Sequence, residues 1–241
     1  MDKKRDNMTE KSAYLNSDLK LPKFYIISLE DNNTLRDYFN RNPIENAEYI
    51  EITNSEDLKR VSDGNFFFFL TTKGVSESFS EEIKRITKYA HVTVAVSQEQ
   101  ITPLTDACTT FFEISNYEIV YNFLKDFIYL ALNPSLLGLH YKDIREFFSS
   151  SQRFLLKRYE VKFNEKEKFI EKIKNENESM YSCFAIFKGG PKMSLEIINW
   201  FLEELNDYSE GPILAGGITR EDESDWFELK LFVSFSKQEF K

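Results

Sequence analysis

The feature that most constrains the fold is a regular alternation of short apolar segments with amphipathic ones in the first half of the chain. Three segments are strongly apolar, namely FYIISL at 24–29, FFFFL at 66–70 and HVTVAV at 91–96. Helical patterns lie between them, and in the one at 77–89 the side chains of Phe79, Ile83 and Ile86 share a face. This alternation predicts a parallel, doubly wound α/β sheet, in which ligands bind at the carboxyl ends of the strands.

A long apolar helix, predicted at 117–132, separates this region from a second set of strands and helices. That set includes YSCFAIF at 181–187 and FELKLFVSF at 227–235, which we predict to lie together in a second, separate sheet, and a further strand is predicted near 142–149. The sequence therefore predicts a flexible N-terminal arm at 1–21, a reduced Rossmann-like domain at 22–116, a connecting helix at 117–132 and a smaller α/β domain at 133–241.

Composition argues against several classes of function. The net charge of −9 over 241 residues disfavours a nucleic-acid partner. No apolar run approaches the ~20 residues of a membrane-spanning helix, and the charged first residues lack the apolar core of a secretion signal, so we expect a cytoplasmic protein. The two cysteines are predicted to be buried free thiols. With only two histidines besides, no metal site is expected.

Glycine is scarce where phosphate binding would need it. The chain has 8 glycines, about half the usual ~7% share. Phosphate-cradling loops use glycine so that backbone N–H groups can approach the anion. The three turns that follow the apolar strands contain one glycine and several carboxylates. Weak candidates for holding an anion there are Lys73, Gly74, Ser76 and Ser78, and the alternative is an ordinary solvated turn.

The segment NPSLLGLHYKDIREFF at 133–148 resembles a loop of the tubulin/FtsZ superfamily. In that family the loop reaches from one subunit into the nucleotide site of its neighbour, with the pattern P-G-L-[IM]-N-x-D-x-x-D-[IV]. Six residues match, namely Pro134, Leu136, Leu137, Leu139, Asp143 and Ile144. Gly138 replaces the family's Asn, and His140 replaces its first Asp. His140 is either a base or a residue that merely occupies this position.

The order of elements extends the resemblance to residues 23–236. The stretch at 66–97 is similar to the FtsZ strand, GGGTGTG loop, helix and strand, but most of the glycines are missing. The stretch at 181–235 is similar to the FtsZ second domain. The resemblance thus implies a degenerate FtsZ-like protein that lacks the Gly-rich nucleotide loops, with an FtsZ/tubulin-like α/β fold of two domains joined by a central helix.

The same resemblance implies a function in interaction rather than catalysis. We expect a pseudo-GTPase with no cofactor and no catalytic residue, in which Asp143 is a vestige of the hydrolysis-activating acids. Its partner would be FtsZ, another cell-division protein or a second copy of the chain. The implied interface residues are Asn133, Leu136, Leu137, Leu139, His140 and Asp143. The alternative for the leucines is packing between the two domains, and the alternative function is a divergent nucleotide-binding, filament-forming GTPase.

Overall fold

A computed structural model describes residues 22–235, except 62–63, 73, 115, 134–136, 138, 151–152 and 177–179. The described strands are β1 (Phe24–Ser28), β2 (Ala47–Glu51), β3 (Phe66–Leu70), β4 (Val92–Ser97), β5 (Thr110–Glu113), β6 (Arg153–Lys162), β7 (Met180–Gly189), β8 (Ile213–Thr219) and β9 (Trp226–Phe235). The described helices are α1 (Asn33–Arg41), α2 (Glu77–Ile86), α3 (Thr102–Thr105), α4 (Tyr117–Leu132), α5 (Tyr141–Ser150), α6 (Lys166–Glu176) and α7 (Leu195–Asn206).

All nine of these strands form one sheet in the order β2-β1-β3-β4-β5-β6-β9-β7-β8. The pairings from β2 through β6 are parallel, which confirms the predicted parallel sheet. Strand β9 runs antiparallel to both β6 and β7, so YSCFAIF and FELKLFVSF lie in the same sheet, as predicted, and are neighbours in it.

The prediction of a separate second sheet was wrong. Strand β6 pairs with β5 on one side, where Phe111 lies opposite Arg153 and Glu113 lies opposite Leu155. On its other side, β6 pairs with β9 over nine residue pairs. This strand therefore makes the two predicted sheets continuous. The predicted division into two domains joined by a central helix stays a prediction.

The predicted strand at 142–149 was also wrong, because these residues form helix α5. Ile144, Phe147 and Phe148 are all buried, and their spacing of three and four residues places them on one helical face. They pack in the same core cluster as Phe127 of α4.

Alternate side chains of the strands supply two cores on opposite faces of the sheet. Phe66 and Phe68 of β3 pack with helices α1, α4 and α5, whereas Phe67 and Phe69 pack with α2 and α3. Phe127 of α4 contacts Phe66, and it also contacts aromatic rings of β7 and β9 at centroid distances of 6.1 Å. Helix α4 thus covers strands from both halves of the chain. A third cluster lies under α6 and α7.

Candidate functional site

The turns that follow β1, β3 and β4 lie at the edge of the sheet where open α/β folds bind ligands, and we call these turns the carboxyl edge. Strands β1 and β4 end in buried hydroxyl residues, Ser28 and Ser97. Ser28 Oγ donates to the backbone oxygen of Glu30 at 2.8 Å, and Ser97 Oγ donates to that of Glu99. These hydroxyls therefore stabilise the turns themselves.

The side chain of Glu30 crosses the carboxyl edge to the turn after β3. Its Oε1 accepts from the backbone N–H of Thr72 at 2.9 Å, and its Oε2 accepts from the Thr72 hydroxyl at 2.6 Å. Backbone N–H groups in turns of this kind are what a phosphate-binding loop offers to its ligand. Here the carboxylate of Glu30 accepts the hydrogen bond of the Thr72 N–H.

Two further carboxylates lie near the ends of β1 and β2. Arg36 of α1 donates to Asp31 at 2.6 Å and through Nε to Glu51 at 2.7 Å. Tyr49 donates to the second oxygen of Glu51 at 3.0 Å, and burial, followed by the charge of Glu51, raises the pKa of this tyrosine. The guanidinium of Arg36 is thus neutralised by carboxylates, and the edge has an acidic character that disfavours a polyphosphate.

One of the predicted anion-binding residues after β3, Ser76, caps α2. Ser76 is the N-cap residue, and its Oγ accepts from Phe79 N at 3.4 Å and lies 2.9 Å from Ser78 Oγ. A Cβ atom added to Gly74 would have no atom within 4 Å, so no close approach requires glycine there. Lys73 lies outside the described residues. The anion-binding role of this group stays a prediction.

The loop between α4 and α5 carries the predicted interface, and Asp143 has a structural role in it. The backbone N–H of His140 donates to Asp143 Oδ2 at 2.9 Å, and the backbone oxygen of His140 accepts from Asp143 N at 3.0 Å. Asp143 is the third residue of α5, and its carboxylate therefore caps the N-terminus of this helix at His140.

The remaining predicted interface residues differ in their exposure. Leu139 is only 5% exposed and packs in the core next to Gly216 of β8, so it supports the loop from inside. Leu137 is half-buried against the third cluster, and the Asn133 side chain donates to the last turn of α4. Leu136 lies outside the described residues, and His140 is exposed. The interface stays a prediction, and His140 is the described residue best placed to test it.

A buried charge cluster under α4 was missed by the sequence reasoning. Asp126 is 3% exposed and accepts from Lys188 Nζ of β7 at 2.9 Å and from Lys230 Nζ of β9. Lys230 also donates to the backbone oxygen of Asn122 at 3.0 Å. Burial lowers the pKa of Lys230, and the carboxylate of Asp126 opposes this effect. A cavity of about 330 Å³ lies beside the cluster, between α4 and the ends of β7 and β8.

A signal for this cluster was present in the sequence. Asp126 lies in the largely apolar segment FLKDFIYLAL and Lys230 lies in the alternating segment FELKLFVSF. Two opposite charges that are buried satisfy each other only if they meet. Within the described ranges, no three His, Cys, Asp or Glu side chains are grouped to hold a metal ion. No described helix is long and apolar enough to cross a membrane.

Comparison with known proteins identifies the architecture. No protein-family model and no curated protein matches the sequence. Among solved structures, an empty FtsZ dimer from M. jannaschii matches with a TM-score of 0.70 and 12% identity over 90% of this chain and 89% of the other. A point mutant of the same FtsZ matches with a TM-score of 0.67 and 13% identity over 89% and 91%. The chain has the FtsZ fold.

The FtsZ fold is shared with CetZ. CetZ from Methanosaeta thermophila matches with a TM-score of 0.56 and 13% identity over 89% of this chain and 86% of the other. The resemblance deduced from the sequence is therefore confirmed for the fold. At such low identity the loss of nucleotide binding stays a prediction.

Proposed function

We propose that the protein is a non-catalytic FtsZ-like pseudo-GTPase that binds FtsZ or another cell-division protein and modulates filament assembly. The observation that carries this proposal is the contact of Glu30 with Thr72 at the carboxyl edge of an FtsZ fold. An FtsZ-type nucleotide site needs backbone donors for phosphate oxygens, and here a carboxylate of the chain uses the donors of Thr72.

Electrostatics supports the proposal. A bound nucleotide would place several phosphate charges near Glu30 and Asp31, and the nearby Arg36 is already paired with carboxylates. Two unit charges 4 Å apart interact with about 4 kcal/mol at the effective dielectric constant of a protein surface. Repulsion from uncompensated carboxylates would therefore weaken nucleotide binding. Of the two acids that activate hydrolysis in the FtsZ family, only Asp143 is present in this chain, and its carboxylate caps α5.

The two ends of such a subunit would differ in what they can bind. The loop between α4 and α5, with His140 exposed, corresponds to the family loop that enters the pocket of the adjacent subunit. The carboxyl edge would present no nucleotide to a further subunit. We therefore propose that the protein docks on the exposed nucleotide end of an FtsZ filament and blocks further addition there.

A second candidate function is self-assembly without nucleotide turnover. It is favoured by one structural neighbour, the FtsZ dimer from M. jannaschii that is described as empty. Sedimentation of the purified protein alone separates the candidates. Rapidly sedimenting polymer without nucleotide would support self-assembly, whereas a capping protein remains in the supernatant.

The decisive experiment mixes the protein with an intact FtsZ from the same organism and follows assembly by light scattering. We expect sub-stoichiometric protein to lower the scattering, because one molecule at a filament end stops many additions. His140→Glu is expected to abolish the effect, because this exposed side chain lies in the docking loop. Lys168→Gln on the exposed face of α6 changes the net charge by the same amount and serves as the control. No effect of the unmodified protein at an equimolar ratio would contradict the proposal.

A further inference from the structure

We infer that the carboxyl edge contains a site for a small oxyanion, that Glu30 fills it within the chain, and that removing this carboxylate opens the site to inorganic phosphate. The inference deepens the proposed function, and it rests on that proposal only in treating the carboxyl edge as a nucleotide-type face. It assigns a ligand class to this edge.

The position of the donors is set by the sheet. Backbone hydrogen bonds continue beyond the strand ends, from Leu29 N to the oxygen of Leu70 at 2.9 Å and from Thr71 N to that of Val96 at 3.3 Å. Thr72 carries the next backbone N–H after this ladder. Its N–H and hydroxyl both point to one carboxylate, which is the geometry for binding two oxygens of the same anion.

The backbone that positions the carboxylate of Glu30 is held by a hydrogen bond. The turn that carries Glu30 is held by the Ser28 hydroxyl, which donates to the backbone oxygen of Glu30 at 2.8 Å. A ligand group tethered by a short segment has an effective concentration in the millimolar range or above. Free phosphate at ordinary concentrations therefore does not displace Glu30 in the unmodified protein.

The donors of Thr72 also define which anions can replace Glu30. They are an uncharged N–H and an uncharged O–H, so they suit a small anion with two oxygens on one centre, such as acetate or phosphate. Asp31 and Glu99 lie in the neighbouring turns and disfavour a highly charged polyphosphate. The expected ligands are consequently inorganic phosphate and simple carboxylates.

The test is chemical rescue of Glu30→Ala. Its Tm is measured in increasing phosphate or acetate, with chloride keeping the ionic strength constant. We expect a lower Tm than that of the unmodified protein in chloride, and a recovery of about 3–6 °C when the anion reaches ten times its Kd, since only the native state binds it. The unmodified protein should show no such gain.

Two variants make the test specific. Asp31→Ala removes the adjacent carboxylate, which pairs with Arg36 and not with Thr72, so phosphate should not rescue it. The double variant Glu30→Ala/Thr72→Val lacks the hydroxyl donor, so its apparent Kd for phosphate should be at least ten times higher than that of Glu30→Ala. Line broadening of the phosphate ³¹P signal by Glu30→Ala alone would report binding directly.

The outcomes are distinct. An equal response of Glu30→Ala, Asp31→Ala and the unmodified protein to phosphate overturns the inference and leaves Glu30 as a simple link between two turns. If Glu30→Ala fails to fold in chloride, the inference requires that it folds in phosphate, and failure in both overturns it. Neither result bears on docking to FtsZ, which is tested through His140 on the α4–α5 loop.

Discussion

Replacing Asp126 by alanine should destabilise the protein strongly, because two ammonium groups depend on this carboxylate. Asp126 accepts from Lys188 and Lys230, and its side chain is 4% exposed, compared with 27% for Lys188 and 2% for Lys230. Lys188 can turn toward water after the substitution, whereas Lys230 cannot. The destabilisation therefore comes mainly from Lys230. Its ammonium group still donates to the backbone oxygen of Asn122, and it lies 3.7 Å from the carboxylate of Glu228.

Removing one partner of a buried ion pair costs about 3–5 kcal/mol. In a domain of this size, 1 kcal/mol corresponds to about 2–4 °C in Tm, so Asp126→Ala should lower the Tm by roughly 6–20 °C. Urea unfolding monitored by circular dichroism measures the free energy, and calorimetry measures the Tm. The double variant Asp126→Leu/Lys230→Met should recover most of the loss, because apolar replacement of a buried pair is often neutral or stabilising.

The pH dependence provides a second test of the same reasoning. Burial lowers the pKa of Lys230 in the folded protein. Between this lowered pKa and the ordinary value of about 10.4, the unfolded chain holds a proton that the folded chain has released, so stability rises with pH in that window. Without Asp126 the pKa falls further and the window widens toward neutral pH. Asp126→Ala should therefore regain stability from pH 7 to 10 more steeply than the unmodified protein.

Two results would refute this account of the cluster. One is a cost of Asp126→Ala below about 1 kcal/mol, which is the range of exposed pairs. The other is a pH profile of Asp126→Ala that is parallel to that of the unmodified protein, since this would mean that Asp126 has no influence on the pKa of Lys230.

Three further predictions concern other parts of the chain. Asp143→Ala should lower stability by about 0.3–1 kcal/mol through loss of the α5 cap, measured by urea unfolding, whereas Lys142→Ala next to it should be nearly neutral. Cys183, whose pKa burial raises to about 12, should react with a thiol reagent only after unfolding, and modification of the native protein within seconds would contradict its burial. Gly190→Ala should cost several kcal/mol, about the range of severe steric substitutions, because its Cβ would lie 1.9 Å from the backbone oxygen of Asp222; an unchanged Tm would contradict this.

The strands and most helices were predictable because their periodicity is local. FFFFL is apolar at every position and forms β3, and the helix predicted at 117–132 is α4 with the same bounds. Helix α5 was missed because ten residues with Ile144, Phe147 and Phe148 suit either a strand or a helix. The single sheet was not predictable, since the β5–β6 junction rests on three residue pairs.

The candidate site was predictable only in part, because its contacts join residues far apart in sequence. The acidic character of the turn after β1 was evident, but the contact of Glu30 with Thr72 spans 42 residues. Asp126 and Lys230 are 104 residues apart. Local patterns indicate that such charges are unusual, and only the packing of α4 on the sheet shows which of them meet.

The central claim, an FtsZ fold without nucleotide turnover, is tested most directly by incubating the purified protein with GTP and Mg²⁺. Phosphate release and the Tm with GTP or GDP are measured together, because a ligand of the native state must raise the Tm. The account predicts no phosphate above background and no rise in Tm with either nucleotide. Turnover that disappears on Lys73→Ala substitution, together with a Tm raised by GTP, would contradict it.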